Sequence, residues 1–372
     1  MPVVSGACDE SPAAQCRAVH EVESSRRIGR FLRCSWRRSP MTHRTTPSPC
    51  PAAGDRTGSD VTSPASSGTK HPAVPHSETI TAALSLHWDL GNAEVTPLMG
   101  GMNSATWHVK CHGDEWAAKA VPDGPPAEQF RYGLELASRV EETGIPCGAP
   151  VRSKDGRRTV GIVGHELALL RWVPGRELND RNEGDMALMG VTLARAHQAL
   201  GTEPVTEDQA WSRFDLLAGI EDTAVLHARP WIRPAVERVV TRLRRLRPET
   251  LTWGPVHGDP APEHFRLDPD TGLCGLIDWG ASSPWARMYD LATVVMDAGG
   301  PDAARPLIRA YLEHGALPPD EVGQALLPLL DFRYAINTLF YAGRILRDDL
   351  TGVADRAGNE ERLEQARRWL VR

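Results

Sequence analysis

Two hydrophobic periods divide this chain, and their order restricts what it can fold into. Strand-like runs recur at residues 105–111, 115–121, 159–163 and 166–172, bounded by turn signals such as His112-Gly113-Asp114 and Pro174-Gly175. Helices are predicted at 77–88, with Ser77 as N-cap, and at 125–142, stopped by Gly144 and Pro146. Farther along, helical spacing dominates at 186–200, 211–227 and 235–246, and again from about 290 to the end. A single further strand is predicted at 272–277. A small strand-rich half followed by a large helical half predicts an α+β molecule of two lobes, hinged near 170–174, with a ligand cleft between them.

Residues 1–76 do not fit either period. Stretches such as TTPSPCPAAGD and SPASSGTKHP supply few apolar side chains to offset the entropy of ordering. The segment is expected to be disordered, or to lie upstream of the true start, with Met41 as an internal start. A docking or targeting arm is the other reading. The expected organisation is therefore 1–76 as an extension, 77–173 as a β-rich lobe and 174–372 as a mostly helical lobe.

Charge and cysteine usage exclude some roles. Residues 1–78 carry a net +3 and the remainder −9, so the folded body is acidic, unlike a nucleic-acid-binding face. An acidic body suits a cationic small substrate, though many acidic proteins owe their charge only to solubility. No apolar run reaches the roughly 18 residues of a membrane span. The seven cysteines are scattered without C-x-x-C spacing, and an odd number in a long chain argues for reduced thiols and a cytoplasmic location.

The residues with chemical potential cluster late in the chain. Asp259 lies in His257-Gly258-Asp259, and Asp278 follows 19 residues later in Ile277-Asp278-Trp279-Gly280. An Asp in such a loop can orient a hydroxyl and accept its proton. An Asp closing an apolar strand can anchor a hard divalent cation, or merely cap a turn. His257 reads as a brace of its loop, and Asp290 as a helix cap or a second brace. His197, between Leu193 and Leu200 on a helix face, reads as a hydrogen-bonded core residue. Trp253, Trp279 and Trp285 are core or pocket lining, with core favoured. Upstream, Lys119 sits on an apolar strand, where a cation is costly without an anionic partner; a solvated strand lysine is the alternative. Gly100-Gly101-Met102-Asn103-Ser104 could let backbone N–H groups approach phosphate, or could be an ordinary turn.

In this order, these motifs resemble the aminoglycoside phosphotransferase family, small-molecule kinases that share the protein-kinase-like fold and include choline-, homoserine- and fructosamine-type kinases. The resemblance covers residues 93–350. It also takes in Thr143-Gly144-Ile145-Pro146, Pro174-Gly175-Arg176, Leu193-Ala194-Arg195-Ala196-His197 and Tyr289-Asp290-Leu291-Ala292. It implies ATP or GTP as donor, held by Gly100, Gly101, Asn103 and Ser104, by Lys119, and by the Leu170–Trp172 backbone at the purine. It implies Asp259 as the catalytic Asp and Asp278 as ligand of Mg²⁺ or Mn²⁺. The implied reaction phosphorylates a hydroxyl of a small, cationic molecule, with no nucleic-acid or membrane partner.

Three positions depart from the family pattern. His264 stands where a metal-ligating Asn is usual, and imidazole suits softer metals than Mg²⁺; His264 is the second candidate metal ligand. Glu263 replaces a Gly and adds a carboxylate. Gly133 occupies the place of the helix Glu that usually pairs with the strand lysine, leaving Glu128 or Glu135 as candidates. These departures support an alternative, a degenerate kinase that binds nucleotide or ligand without turnover. Asp331, Arg333, Tyr334, Asn337, Asp348 and Asp349 on the C-terminal helices are candidate substrate contacts or solvated faces.

Overall fold

The computed structural model describes residues 74–98, 104–217, 223–350, 353 and 355–372. The expected N-terminal extension and the Gly100, Gly101 and Asn103 turn lie outside those residues; Ser104 lies just before the second strand. Helix α1 (Ser77–Trp88) precedes strands β1 (Glu94–Leu98), β2 (Ala105–Cys111) and β3 (Asp114–Pro122). Helix α2 (Pro125–Glu141) follows, then β4 (Pro150–Val151), β5 (Val160–Ile162) and β6 (His165–Arg171). The antiparallel sheet runs β1-β2-β3-β6-β4, with β5 also on β6.

β2 alternates, burying Trp107, Val109 and Cys111 and turning Lys110 to solvent. β3 does not alternate, because helices cover both of its faces. Ala118 and Ala120 pack with Ile80 and Leu84 of α1, whereas Val121 packs with Phe130 and Leu134 of α2. Lys119 therefore lies on a buried strand, in register with Ala168 of β6.

Strand β7 (Arg176–Glu177) leads into α3 (Glu183–Leu200), α4 (Glu207–Phe214), α5 (Thr223–His227) and α6 (Ile232–Leu246). Next come β8 (Trp253–Val256), β9 (Phe265–Leu267), β10 (Cys274–Leu276) and β11 (Ser283–Ala286). The chain continues through α7 (Met288–Asp297), α8 (Arg305–Glu313), α9 (Pro319–Arg347) and α10 (Arg356–Leu370). Helix α6 is amphipathic, turning Val236, Val239, Val240 and Leu243 inward and Arg238, Arg242 and Arg245 outward. Helix α9 has no exposed face over residues 329–339, every one of which is buried, Asp331, Arg333 and Asn337 included, so it runs through the core.

The expected fold is found: a sheet-bearing N-terminal part and a helical C-terminal part. Several expected elements differ in detail. The helix expected at 211–227 divides, with α4 ending at Phe214. Asp215 then accepts a hydrogen bond from the Leu217 N–H at 3.0 Å, a local turn that competes with helix continuation. Ser77 is the first helical residue and not the cap, which falls to His76 without a side-chain bond. The strand expected at 272–277 is confined to Cys274–Leu276, because a turn of 268–272 closes through Asp268 and the left-handed Gly272. Trp253, Trp279 and Trp285 are core, as favoured.

Candidate active site

Two short strand pairs bring the acidic loops together. β8 ends at Val256, in register with Ser283 of β11, so residues 257–259 emerge beside 278–282. β9 and β10 pair Phe265 with Leu276, so His264 and Ile277 leave that hairpin side by side; the Ile277 N–H donates to the His264 carbonyl at 2.9 Å.

The first loop is held from below by Asp290, near the start of α7. Its carboxylate accepts the His257 N–H at 2.7 Å and the Gly258 N–H at 2.8 Å. His197 Nε2 lies 3.1 Å from the same carboxylate, and the Tyr311 hydroxyl lies 2.8 Å from His197 Nδ1. Asp290 is wholly buried, and these donors offset its desolvation. Of the two roles expected for Asp290, the structure shows the brace; the cap position of α7 is Arg287. His257 also braces: Nε2–H donates to the Ile277 carbonyl at 3.0 Å, and Nδ1 accepts the Asp259 N–H at 3.3 Å. Burial lowers the His257 pKa to about 4, so the ring is neutral. Gly258 is required twice over, by its left-handed φ of 88° and because a Cβ there would meet the Ala281 carbonyl oxygen at 2.3 Å.

Asp259 is 8% exposed. Burial raises its pKa to about 7, against the opposing charges of His264 and Arg333. That value suits a group that must accept a proton near neutral pH.

Asp278 opens onto the cleft, with its side chain 39% exposed and its backbone left-handed at φ 65°. Lys119 Nζ donates to Asp278 Oδ1 at 2.6 Å. His264 Nδ1–H donates to the Asp259 carbonyl at 2.8 Å, and its Nε2 lies 3.9 Å from Asp278 Oδ2. Desolvation disfavours the charged carboxylate, yet Lys119 and His264 outweigh it and hold Asp278 well below the usual carboxylate range. For His264, burial works against a charged ring, but Asp278, Asp259 and Glu263 together raise its pKa above the ordinary histidine value.

Lys119 is thus not paired with Glu128 or Glu135, which are exposed on α2. The reason is Gly133. It lies so close to the second acidic loop that a Cβ would stand 2.0 Å from the Trp279 carbonyl oxygen. No side chain fits between α2 and that loop, and Asp278 itself meets the lysine.

Leu170 is in register with both Ala117 of β3 and Pro150 of β4, and the Arg171 N–H donates to the Ala149 carbonyl at 3.1 Å. The backbone leaves the sheet only at Trp172, whose ring stacks on His108 at 4.2 Å. Of the expected purine-binding segment, Trp172 rather than Leu170 lies past the ladder.

Asp259 also lines a cavity of about 30 Å³ with Asp297, Arg333, Asn337, Tyr341 and Arg362. Arg333, Tyr334 and Asn337 were candidates from sequence, and all three line it. Asp331 points elsewhere, to Arg242 and to Trp369 Nε1 at 2.9 Å; Asp348 meets Arg356 and Asp349 meets Arg344. Asp297 was missed, although it stands seven residues after Asp290 and so on the same face of α7. Arg362 and Gln365, on α10, had no local signal at all.

Residues 94–325 match the sequence profile described as the phosphotransferase enzyme family, APH. The chain belongs to that family. A homoserine kinase of Rhodopseudomonas palustris is 28% identical to this APH-family chain over 218 residues, 55% of this chain and 64% of the relative. The chain thus spans a little under two thirds of that relative. A microcompartment-associated aminopropanol kinase superposes with a TM-score of 0.62 at 17% identity, covering 79% of this chain and 95% of the other. Spectinomycin phosphotransferase, solved with ADP and spectinomycin, gives 0.55 at 12% identity over 78% and 94%. At such identities the likeness is one of fold. Among the described residues of this APH-family chain, no helix is long and apolar enough to cross a membrane.

Proposed function

We propose that this chain is an ATP-dependent phosphotransferase that phosphorylates a hydroxyl of a small molecule bearing an ammonium group. The observation that carries the reading is Asp259, a buried carboxylate lining a cavity beside the Lys119–Asp278 pair. In the reaction, the substrate hydroxyl oxygen attacks the γ-phosphorus, the bond to the bridging oxygen of ADP breaks, and the hydroxyl proton passes to Asp259. Lys119 would leave Asp278 for the nucleotide phosphates, with Ser104 and the backbone at Trp172 lining the nucleotide side. We assign 77–173 to nucleotide binding and 174–372 to catalysis and substrate binding, and place the protein in the cytoplasm.

The donor set fits a hard divalent cation. Asp278 presents an ionised, solvent-facing carboxylate, and Mg²⁺ needs only one or two carboxylates beside phosphates and water. Among the described residues no group of three or more His, Cys, Asp or Glu forms a site by itself, so the nucleotide phosphates would complete it. When bound, the cation would neutralise charge on the transferred group. Neutral His264 would ligate through Nε2; protonated, it would donate there instead.

Asp297 beside Asp259 supports an ammonium group on the acceptor. ATP consumption with Mg²⁺ or Mn²⁺ across homoserine, aminopropanol, choline and spectinomycin tests the reading. Turnover that depends on one acceptor and vanishes in Asp259→Ala supports it. Acceptor-independent or absent turnover across the panel counts against it.

A second reading, a nucleotide-binding module without turnover, draws on His264 and on the occupied Lys119–Asp278 pair. His264→Asn separates the two. A rise from no activity marks His264 as a lesion; a fall from measurable activity marks it as part of a working site.

A further inference from the structure

We propose that the acceptor carries a carboxylate as well as an ammonium, and that Arg333 on α9 binds that carboxylate. This rests on the phosphotransfer reading and goes beyond it in naming a zwitterionic hydroxy-amino acid as the substrate class.

One buried charge feels Asp259 across the cavity but, among the described residues, makes no ion pair. Arg333 is 1% exposed, among the largest fully buried side chains of the molecule. Among the described residues its hydrogen-bond acceptor is the Tyr289 hydroxyl, and its guanidinium lies 4.8 Å from that ring's centre. A phenol and a ring face compensate a guanidinium only in part. Among the described residues its Nε has no hydrogen-bond partner. A buried guanidinium is ordinarily satisfied by a carboxylate or phosphate, often through two N–H groups.

A second orphan stands one helical turn away. Asn337, 9% exposed, gives its amide N–H to Met296 Sδ at 3.6 Å, but among the described residues its Oδ1 has no hydrogen-bond partner. Both residues line the cavity that Asp259 lines. At positions i and i+4 of α9 they share one helix face. The cavity therefore holds an unmet donor and an unmet acceptor, which a ligand with a carboxylate and an N–H or O–H group would satisfy. Its charged lining is balanced as well, Asp259 and Asp297 against Arg333 and Arg362. A polycationic ligand would call for an acidic excess; a zwitterion calls for balance.

The test is calorimetric and needs no turnover. L-Homoserine and 3-amino-1-propanol, which differ by the carboxylate, are titrated into the full-length wild type, Arg333→Met and Asn337→Leu without nucleotide. The wild type is expected to prefer L-homoserine by at least about tenfold, the scale of a charge-assisted hydrogen bond. Arg333→Met should bring the two affinities to within about threefold, and Asn337→Leu should weaken both together. Arg333→Met is expected to fold with an unchanged or raised Tm, since an apolar isostere removes a poorly paired buried charge. An unchanged preference in a folded Arg333→Met overturns the proposal, as does a wild type that binds the amine better or binds neither compound. With ATP present, an equal loss of kcat/KM on both compounds in Arg333→Met would assign the guanidinium to the transferred phosphoryl group and overturn it too. Carboxylate-dependent binding without phosphorylation would leave the inference standing and refute the kinase reading instead.

Discussion

Gly133 decides how the site closes. Its missing side chain lets α2 rest on the Trp279 carbonyl, and that contact turns Asp278 toward Lys119. Gly133→Ala should therefore destabilise, by about 1–3 kcal/mol as for an overpacked core, despite the better helix propensity of alanine. A thermal melt no lower than the parent's would show that the approach is not as close as described. His197 makes a different residue-scale prediction. Desolvation depresses its folded pKa, with Asp290 opposing, while the unfolded chain titrates near the ordinary value of about 6.5. Between those two values the unfolded chain binds the proton and the folded one resists it. The stability that neutral His197 confers is thus full above about pH 6.5 and is lost as pH falls below it. The advantage of the parent over His197→Gln should shrink in acid, by up to about 1.4 kcal/mol per pH unit. Urea unfolding at pH 7.5 and 5.5 checks the sign, and an advantage that grows in acid would contradict it.

At the scale of elements, two strand pairs and one helix start build the proposed catalytic loop. The register of β8 on β11 sets residues 257–259 beside 278–282, and Asp290 at the start of α7 fastens the loop by two backbone amides. Asp290→Asn removes the charge and one acceptor, so His257, Gly258 and His197 compete for a single oxygen. We expect a loss of about 2–3 kcal/mol in stability and a fall in kcat larger than any change in KM for ATP. A change confined to KM would show that the loop does not depend on this brace. Much of this level was legible in sequence. The His257-Gly258-Asp259 and Tyr289-Asp290 motifs pointed to a braced loop, because hydrogen bonding along a short loop is encoded locally. The division of the 211–227 helix was not legible: periodicity continues through Asp215, where a turn at its side chain follows the end of α4.

Across the whole molecule, the sheet and the helical part meet at Lys119 and Asp278, 159 residues apart in sequence. Nucleotide that recruits Lys119 should stabilise the fold as a whole. ATP with Mg²⁺ should raise the Tm of the parent, and Lys119→Met should remove most of that rise. Equal shifts in both would place the phosphates elsewhere. Cys147 reports on the same region. It is buried, and desolvation foremost raises its thiol pKa well above the ordinary value. In a variant retaining only this cysteine, labelling by a thiol reagent should follow the global unfolding equilibrium; rapid native labelling would contradict the packing.

What the sequence alone determined is what local pattern encodes: the order of strands and helices, the strand lysine, and the two Asp motifs with the glycine between His257 and Asp259. Each depends on residues close together in the chain, where period, turn chemistry and spacing act directly. The tertiary structure alone decided which charges meet. It paired Lys119 with Asp278 rather than a helix glutamate, because a close approach at Gly133 leaves no room for one. It also brought Asp297, Arg333, Asn337 and Arg362 to Asp259 from three helices. Contacts of that separation depend on how helices pack, and no local pattern in the chain records it.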